Sequence, residues 1–212
     1  IRARAPATLT ASAAVDILAG GWIDAAMDQE IITGLKKRIS TEGLDAVIAV
    51  SPENVTYVSG FVVPSQSLMR WRHAACIVTA DGRVSMVAVD MEATTVKAHA
   101  EIKDLRVYRE FIDDPMDRIT DALRDMRLDH GKVGIEMEFL PAKDFATLGK
   151  KLPEVEWRAA DAIFNKARQI KTPNELALLR SLSKLTDKAI GDTLRKARVG
   201  MTELELAGHL LT

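Results

Sequence analysis

The chain has 212 residues, which suits one large domain or one domain followed by part of a second. Its 29 basic and 30 acidic side chains nearly cancel, which argues against nucleic acid or an anionic membrane surface as the main partner. No segment approaches the roughly 18 consecutive apolar residues of a membrane span. The single cysteine, Cys76, lies in an apolar run and is predicted to be a buried strand residue rather than a nucleophile. One cysteine fits a reducing compartment, and we expect a cytoplasmic location.

The first 26 residues are a separate segment. They are rich in Ala, carry Arg2 and Arg4, lack an initiator Met and precede Met27. Asp16 interrupts the one apolar stretch, which argues against a secretory signal. A leader foreign to the native protein, or translated from upstream, and a native N-terminal arm are both compatible with this composition.

Helices and strands alternate after this segment. Apolar residues at helical spacing predict a first helix that contains Ile31 and Ile39 and stops at Gly43. Short apolar runs predict strands at 46–50, 74–79, 84–89, 105–108, 132–136 and 155–157. Amphipathic patterns predict helices at 90–99, 115–128, 141–151 and 160–168, and residues 51–54 open a turn or short helix.

This alternation is typical of a three-layer α/β domain. Asp81 and Gly82 form a strong hairpin signal between two of the strands. Because a hairpin joins antiparallel strands, the sheet is predicted to be mixed rather than purely parallel.

A capping box marks the start of a long helix near the end of the chain. Thr172 can cap the helix, Pro173 suits its first position, and Glu175 can reach back to the cap amide. Thr202 and Glu205 form a second capping box, which opens another helix that has not ended when the chain stops at Thr212. We therefore expect the chain to be a piece of a larger protein.

Residues with metal-binding or catalytic potential are sparse. His73, His99, His130 and His209 form no His-x-x-x-His or Cys-x-x-Cys spacing, so each is predicted to be a surface or capping residue rather than a ligand. The sequence also lacks a nucleophile elbow, a phosphate-binding loop and a dinucleotide fingerprint. We predict no catalytic residue and no metal ligand in this chain.

Glu136 and Glu138 are a candidate cation site. Glu136 and Glu138 are two residues apart, so on a strand they would share one face and could bind a cation. The alternative, which we favour, is the end of a strand that meets solvent.

The cluster Leu68-Met69-Arg70-Trp71-Arg72-His73 is unusual in placing two guanidinium groups and an indole just before a buried strand. Arginine matches carboxylates with a planar fork, and tryptophan offers a stacking surface. Such groups could bind an anionic or peptide ligand, or a partner subunit. The alternative is an edge strand protected from aggregation by its charges.

Three motifs, in order, resemble the creatinase/prolidase family. Residues 48–61 (IAVSPENVTYVSGF) resemble the first strand and following loop of its N-terminal domain. Residues 133–136 (VGIE) resemble a late strand of that domain, and residues 168–175 (RQIKTPNE) resemble the start of the family's catalytic domain.

The resemblance implies an N-terminal α/β domain at 27–166, preceded by the leader or arm at 1–26 and followed at 167–212 by the first helices of a truncated pita-bread catalytic domain. Family members hydrolyse Xaa-Pro bonds, as prolidases (Xaa-Pro dipeptidases) and Xaa-Pro aminopeptidases do, or C–N bonds in creatine. Their catalytic domain binds two divalent metal ions (Mn, Co or Zn), which activate a water and polarise the scissile carbonyl. All those ligands would lie beyond this chain.

The resemblance also implies a role in oligomerisation and substrate gating. The family's N-terminal domain commonly reaches across a homodimer to line the neighbouring active site, and in creatinases a Phe-Gly-Arg run does so. Arg72 matches that Arg, whereas Arg70 and Trp71 stand where the Phe and Gly would be. This departure favours a different acidic or peptidic substrate over creatine. Phe61 is a further candidate contact, with packing as the favoured alternative.

We therefore expect the N-terminal domain of a prolidase-like metallopeptidase, inactive as this fragment. Its expected partners are its own C-terminal catalytic domain, a second copy of the chain and a peptide or small-molecule substrate, with no nucleic acid or membrane. A non-catalytic protein-interaction module and the N-terminal domain of a creatinase-type amidinohydrolase remain as alternatives.

Overall fold

The structure, a computed structural model, describes residues 27–69 and 71–211. The described residues up to Ile170 form one compact unit, and those from Lys171 onward belong to a second. Two predictions fall outside the described residues: the leader or arm at 1–26 and the substrate contact of Arg70.

The first unit alternates seven described helices with six strands. Its helices are α1 (Gln29–Thr41), α2 (Pro52–Ser59), α3 (Pro64–Leu68), α4 (Ala93–His99), α5 (Pro115–Asp125), α6 (Ala142–Lys151) and α7 (Asp161–Gln169). Its strands are β1 (Ala46–Ala49), β2 (Ala75–Thr79), β3 (Val84–Val89), β4 (Asp104–Tyr108), β5 (Lys132–Ile135) and β6 (Glu156–Ala159).

The strands form one mixed sheet with the order β4-β3-β2-β1-β5-β6. β1 is parallel to β5, β5 to β6, and β3 to β4, whereas β2 is antiparallel to both of its neighbours. The amino end of β2 therefore lies at the edge of the sheet where the other five strands end.

Helices cover both faces of the sheet. Alternate residues of a strand point to opposite faces, so each face has its own apolar cluster with the helices that cover it. Val47 and Ala49 of β1 pack in one apolar cluster with residues of α1, α2, α4 and α7. Ala46 and Ile48 pack in the other cluster with residues of α5 and α6. The predicted three-layer α/β fold with a mixed sheet is thus confirmed.

Cys76 is fully buried in β2, as predicted, and burial raises the pKa of its thiol. The hairpin between β2 and β3 is also confirmed, with Gly82 at φ +93° in its turn. Two details differ from the sequence expectation. Helix α3 has no counterpart in the predicted elements, and α5 ends at Asp125 because Arg127 adopts a left-handed backbone at φ +60°.

The described part of the second unit contains helices α8 (Pro173–Lys196) and α9 (Glu203–Leu211). Thr172 Oγ1 accepts a hydrogen bond from the Glu175 amide at 3.1 Å, and Glu175 Oε2 accepts one from the Thr172 amide at 2.8 Å. This confirms the predicted capping box. Large apolar side chains of α8 are substantially exposed, among them Leu176, Leu179, Ile190 and Leu194.

Within residues 27–69 and 71–211, no helix combines the length and the hydropathy needed to span a bilayer.

Candidate functional site

The candidate site is the carboxyl edge, defined here as the edge of the sheet where β1, β3, β4, β5 and β6 end and β2 begins. In open α/β sheets, ligands bind outside the carboxyl ends of the strands. Four segments with polar or charged groups meet at this edge: 50–54 after β1, 71–74 before β2, 109–113 after β4 and 136–138 after β5.

Glu136 organises the part of the carboxyl edge between β1 and β5. Its side chain is 4% exposed, and its Oε2 accepts hydrogen bonds from the amides of Val50 at 2.6 Å and Ser51 at 2.9 Å. Its Oε1 accepts hydrogen bonds from Ser51 Oγ at 2.8 Å and Asn54 Nδ2 at 2.6 Å. Arg168 Nη1 lies 3.4 Å from Asn54 Oδ1 and extends the network. Glu136 therefore fixes the start of α2 to the end of β5.

This arrangement corrects the interpretation of Glu136 and Glu138 as a pair on one face. β5 ends at Ile135, so the alternation of a strand does not continue through both residues. Glu136 is buried, whereas Glu138 is exposed and its backbone amide donates to Asp161 Oδ1 at 3.1 Å. The two carboxylates do not form a cation site.

Arg72 lies at the amino end of β2 and pairs with Glu110, which follows β4. The distance between Arg72 Nε and Glu110 Oε1 is 2.5 Å, and the two side chains are only 16% and 17% exposed. A charge-assisted hydrogen bond of this kind is stronger than a neutral one. The pair therefore holds the predicted carboxylate-binding arginine in one place at the carboxyl edge.

The residue that follows Arg72 is anchored twice. The carbonyl of His73 accepts a hydrogen bond from Tyr108 Oη at 3.0 Å, and its Nε2 lies 3.0 Å from Asp144 Oδ2. Burial raises the pKa of the Tyr108 hydroxyl, so it stays protonated and able to donate. The expectation of a surface or capping role is wrong for His73, because its side chain is only 7% exposed and contacts Asp144 of α6.

The other predicted substrate-binding residues differ in their surroundings. Trp71 is 68% exposed beside Arg72 and can contact a ligand or partner. Phe61 is 2% exposed and stacks on His99 with ring centroids 5.9 Å apart, so its ring has a packing role. Arg70 lies outside the described residues.

Five exposed apolar side chains lie on segments that flank Arg72 or Glu110 in the chain or that follow the neighbouring strand β3. We call them the apolar rim; they are Leu68, Trp71, Met91, Phe111 and Ile112. They lie on the segments before β2, after β3 and after β4, and these three strands are neighbours in the sheet. Exposed apolar surface of this kind is typical of an interaction site.

Hydrogen bonds stabilise the turn that carries the exposed side chain of Phe111. Phe111 is 90% exposed and has a left-handed backbone at φ +62°, a conformation that non-glycine residues adopt at some cost. Asp113 Oδ2 accepts from the amide of Arg109 at 2.9 Å, and its Oδ1 accepts from Arg109 Nη2 at 2.9 Å. These hydrogen bonds lower the pKa of Asp113 to about 2.

The described residues contain no group of three or more His, Cys, Asp or Glu side chains that could hold a metal ion.

The family model of the Creatinase/Prolidase N-terminal domain matches residues 32–170, which include all six strands and the whole carboxyl edge. The chain belongs to the creatinase/prolidase family. The resemblance drawn from the three sequence motifs is thereby confirmed.

Individual members of the creatinase/prolidase family match at low identity. An uncharacterized hydrolase/peptidase of Sinorhizobium fredii is 24% identical over 192 residues, which cover 86% of this chain and 48% of the relative. An uncharacterized peptidase of Staphylococcus haemolyticus is 27% identical over 183 residues, covering 84% of this chain and 48% of the relative. The chain thus spans about half the length of the curated relatives it matches.

Solved structures of the family share the fold. The X-Pro aminopeptidase of Thermotoga maritima superposes with a TM-score of 0.67 at 19% identity, over 84% of this chain and 47% of that one. The prolidase of Pyrococcus horikoshii gives a TM-score of 0.60 at 21% identity, over 86% and 47% of the two chains.

Proposed function

We propose that this chain is the amino-terminal part of a prolidase-like enzyme that hydrolyses Xaa-Pro bonds. The observation that carries the proposal is the match of residues 32–170 to the creatinase/prolidase N-terminal domain. The relatives add support, because both curated relatives are named as peptidases and the similar structures include a prolidase and an X-Pro aminopeptidase. Two divalent metal ions would be bound by the remainder of the enzyme.

Within this enzyme, the carboxyl edge would gate the substrate and supply Arg72 to its carboxylate. The guanidinium is fixed at its Nε by Glu110, and the preceding residue, Trp71, has an exposed ring. A planar cation next to an aromatic surface suits a dipeptide that ends in a free carboxylate and carries the apolar ring of proline.

The apolar rim would be the contact surface for a second copy of the chain. Its five side chains lie on segments before β2, after β3 and after β4, at the same edge of the sheet as Arg72, so a homodimer formed there would bring this arginine to the partner's active site. Burying large apolar side chains is the dominant favourable term in such association, at about 25 cal/mol per Å².

Activity measurements test the peptidase proposal. The full-length protein, with Mn²⁺ or Co²⁺ added, is expected to hydrolyse Xaa-Pro dipeptides, whereas this chain alone is expected to be inactive. Creatine serves as the control substrate. Hydrolysis of creatine without cleavage of dipeptides would favour the amidinohydrolase alternative, and no hydrolysis of either would favour the interaction module.

Substitution of Arg72 tests its assigned role. Losing a charge-assisted hydrogen bond costs about 1.5–3 kcal/mol, so Arg72→Ala is expected to raise the KM for Ala-Pro about 10- to 100-fold. Arg83→Ala is the matched control, because Arg83 pairs with Asp81 in the hairpin at the opposite edge of the sheet. An unchanged KM in Arg72→Ala would remove this arginine from substrate binding.

Solution mass tests the dimer. Sedimentation of the full-length protein is expected to give a dimer, and the double substitution Trp71→Ser and Phe111→Ser is expected to raise its dissociation constant at least tenfold. A monomeric parent protein, or a dimer that tolerates both substitutions, would contradict the role of the apolar rim.

A further inference from the structure

Glu110 contacts Arg72 in a way that leaves part of the guanidinium available. The contact is made at Nε, by a single carboxylate oxygen at 2.5 Å. A guanidinium carries five N–H donors, one on Nε and four on the two terminal nitrogens. Glu110 therefore occupies one side of the group and leaves the outer edge, formed by Nη1 and Nη2, for another acceptor.

The outer edge of Arg72 makes no hydrogen bond with the residues that the structure describes. Within residues 27–69 and 71–211, Glu110 is the only acceptor of a hydrogen bond from the Arg72 side chain. The Arg72 side chain is 16% exposed, so part of it reaches solvent. A carboxylate can approach this edge with two parallel hydrogen bonds without displacing Glu110.

Glu110 is itself held in place relative to Arg72. It lies two residues after Tyr108, the last residue of β4, and Tyr108 donates a hydrogen bond to the carbonyl of His73, the residue next to Arg72. The Tyr108–His73 and Glu110–Arg72 contacts thus join the same two segments twice. These two contacts therefore restrict the Arg72 side chain to one orientation, whereas a free arginine on the surface would sample many rotamers.

We propose that Glu110 is a positioning residue, which orients Arg72 so that Nη1 and Nη2 receive the free carboxylate of the substrate. The inference rests on the proposed role of Arg72 and extends it by naming the residue that determines the geometry. A long arginine side chain loses considerable rotamer freedom when it binds. Because Glu110 fixes the side chain beforehand, this loss does not have to occur when the substrate arrives.

Kinetics of the full-length enzyme test the inference with three variants, Glu110→Ala, Glu110→Gln and Arg72→Ala. The substrates are Ala-Pro, with a free carboxylate, and Ala-Pro amide, which lacks it. Glu110→Ala is expected to raise the KM for Ala-Pro about five- to tenfold with kcat changed less than twofold, and to leave the KM for the amide unchanged. Glu110→Gln keeps the oxygen acceptor and is expected to restore the KM for Ala-Pro to within about twofold of the parent enzyme. Circular dichroism of each variant checks that the fold is retained.

The outcomes separate this inference from the proposed function. If Arg72→Ala leaves the KM for Ala-Pro unchanged, the role of Arg72 and the inference both fail. If Arg72→Ala raises the KM but Glu110→Ala does not, only the inference fails. A KM that falls in Glu110→Ala would make Glu110 a competitor for Arg72 and overturn the positioning role. An equal rise of KM for the amide, or the absence of rescue by Gln, would also overturn it.

Discussion

The buried carboxylate of Glu136 provides the sharpest test of how this fold is held together. Its two oxygens accept four hydrogen bonds, from the amides of Val50 and Ser51, from Ser51 Oγ and from Asn54 Nδ2. In Glu136→Ala, the serine hydroxyl can rotate towards another acceptor, but the two backbone amides are fixed and remain unsatisfied. Each buried donor without a partner costs about 1–3 kcal/mol, so we expect a loss of about 4 kcal/mol, near the upper end for a single substitution.

The substitution Glu136→Gln separates charge from shape. One oxygen of Gln can still accept from both backbone amides, but its NH₂ group then faces the NH₂ group of Asn54, and two donors cannot pair. Hydrogen bonds to a neutral acceptor are also weaker than those to a carboxylate. We therefore expect a smaller loss of about 2 kcal/mol.

Urea denaturation of the chain, followed by tryptophan fluorescence and circular dichroism, measures both losses. Glu138→Ala is the matched control, because Glu138 is an exposed carboxylate two residues away and its removal is expected to change the free energy of unfolding by less than about 0.5 kcal/mol. If Glu136→Ala costs less than about 1 kcal/mol, the four hydrogen bonds contribute little to the stability of the fold.

Three further predictions concern other parts of the first unit. Gly134→Ala is expected to destabilise the chain by about 1–3 kcal/mol in the same assay, because its new Cβ would lie 3.0 Å from the Cβ of Ala160, whereas stability unchanged by Ala would refute this close approach. The Cys76 thiol, buried and with a raised pKa, is expected to resist a thiol reagent at pH 8 until urea unfolds the chain, and rapid labelling of the native protein would contradict its burial. Hydrogen bonds from Arg109 lower the pKa of Asp113 from 3.8 to about 2, so its stabilising effect is present above pH 4 and is lost as the pH falls towards 2. Asp113→Asn is expected to flatten the pH dependence of stability in that window, and an identical acid transition in the variant would exclude this contribution.

Sequence patterns between residues that are close in the chain predicted most of the helices and strands correctly. The capping box of Thr172 and Glu175 needs only residues three apart, and the hairpin signal needs only the adjacent residues Asp81 and Gly82. Apolar runs located the buried strands, because a strand covered on both faces has no polar alternation. These local signals were enough for the fold class, and the three motifs were enough for the family.

The candidate site could be predicted only in part. The sequence singled out Arg72 and Trp71, because two guanidinium groups and an indole are unusual just before an apolar strand. It gave no indication of Glu110, which is 38 residues from Arg72 in the chain. It also misjudged Glu136, because the alternation rule that joined it to Glu138 ends where the strand ends.

The sequence by itself determined the helices, the strands, their caps and the family, because these depend on spacing along the chain. Only the tertiary structure decided which side chains meet. The order of the strands brings the ends of β1 and β5 together, so Glu136 receives donors from residues more than 80 positions away. The antiparallel direction of β2 places Arg72 at the same edge as the residues that follow β4. Contacts of this kind depend on strand order and direction, which a linear pattern does not contain.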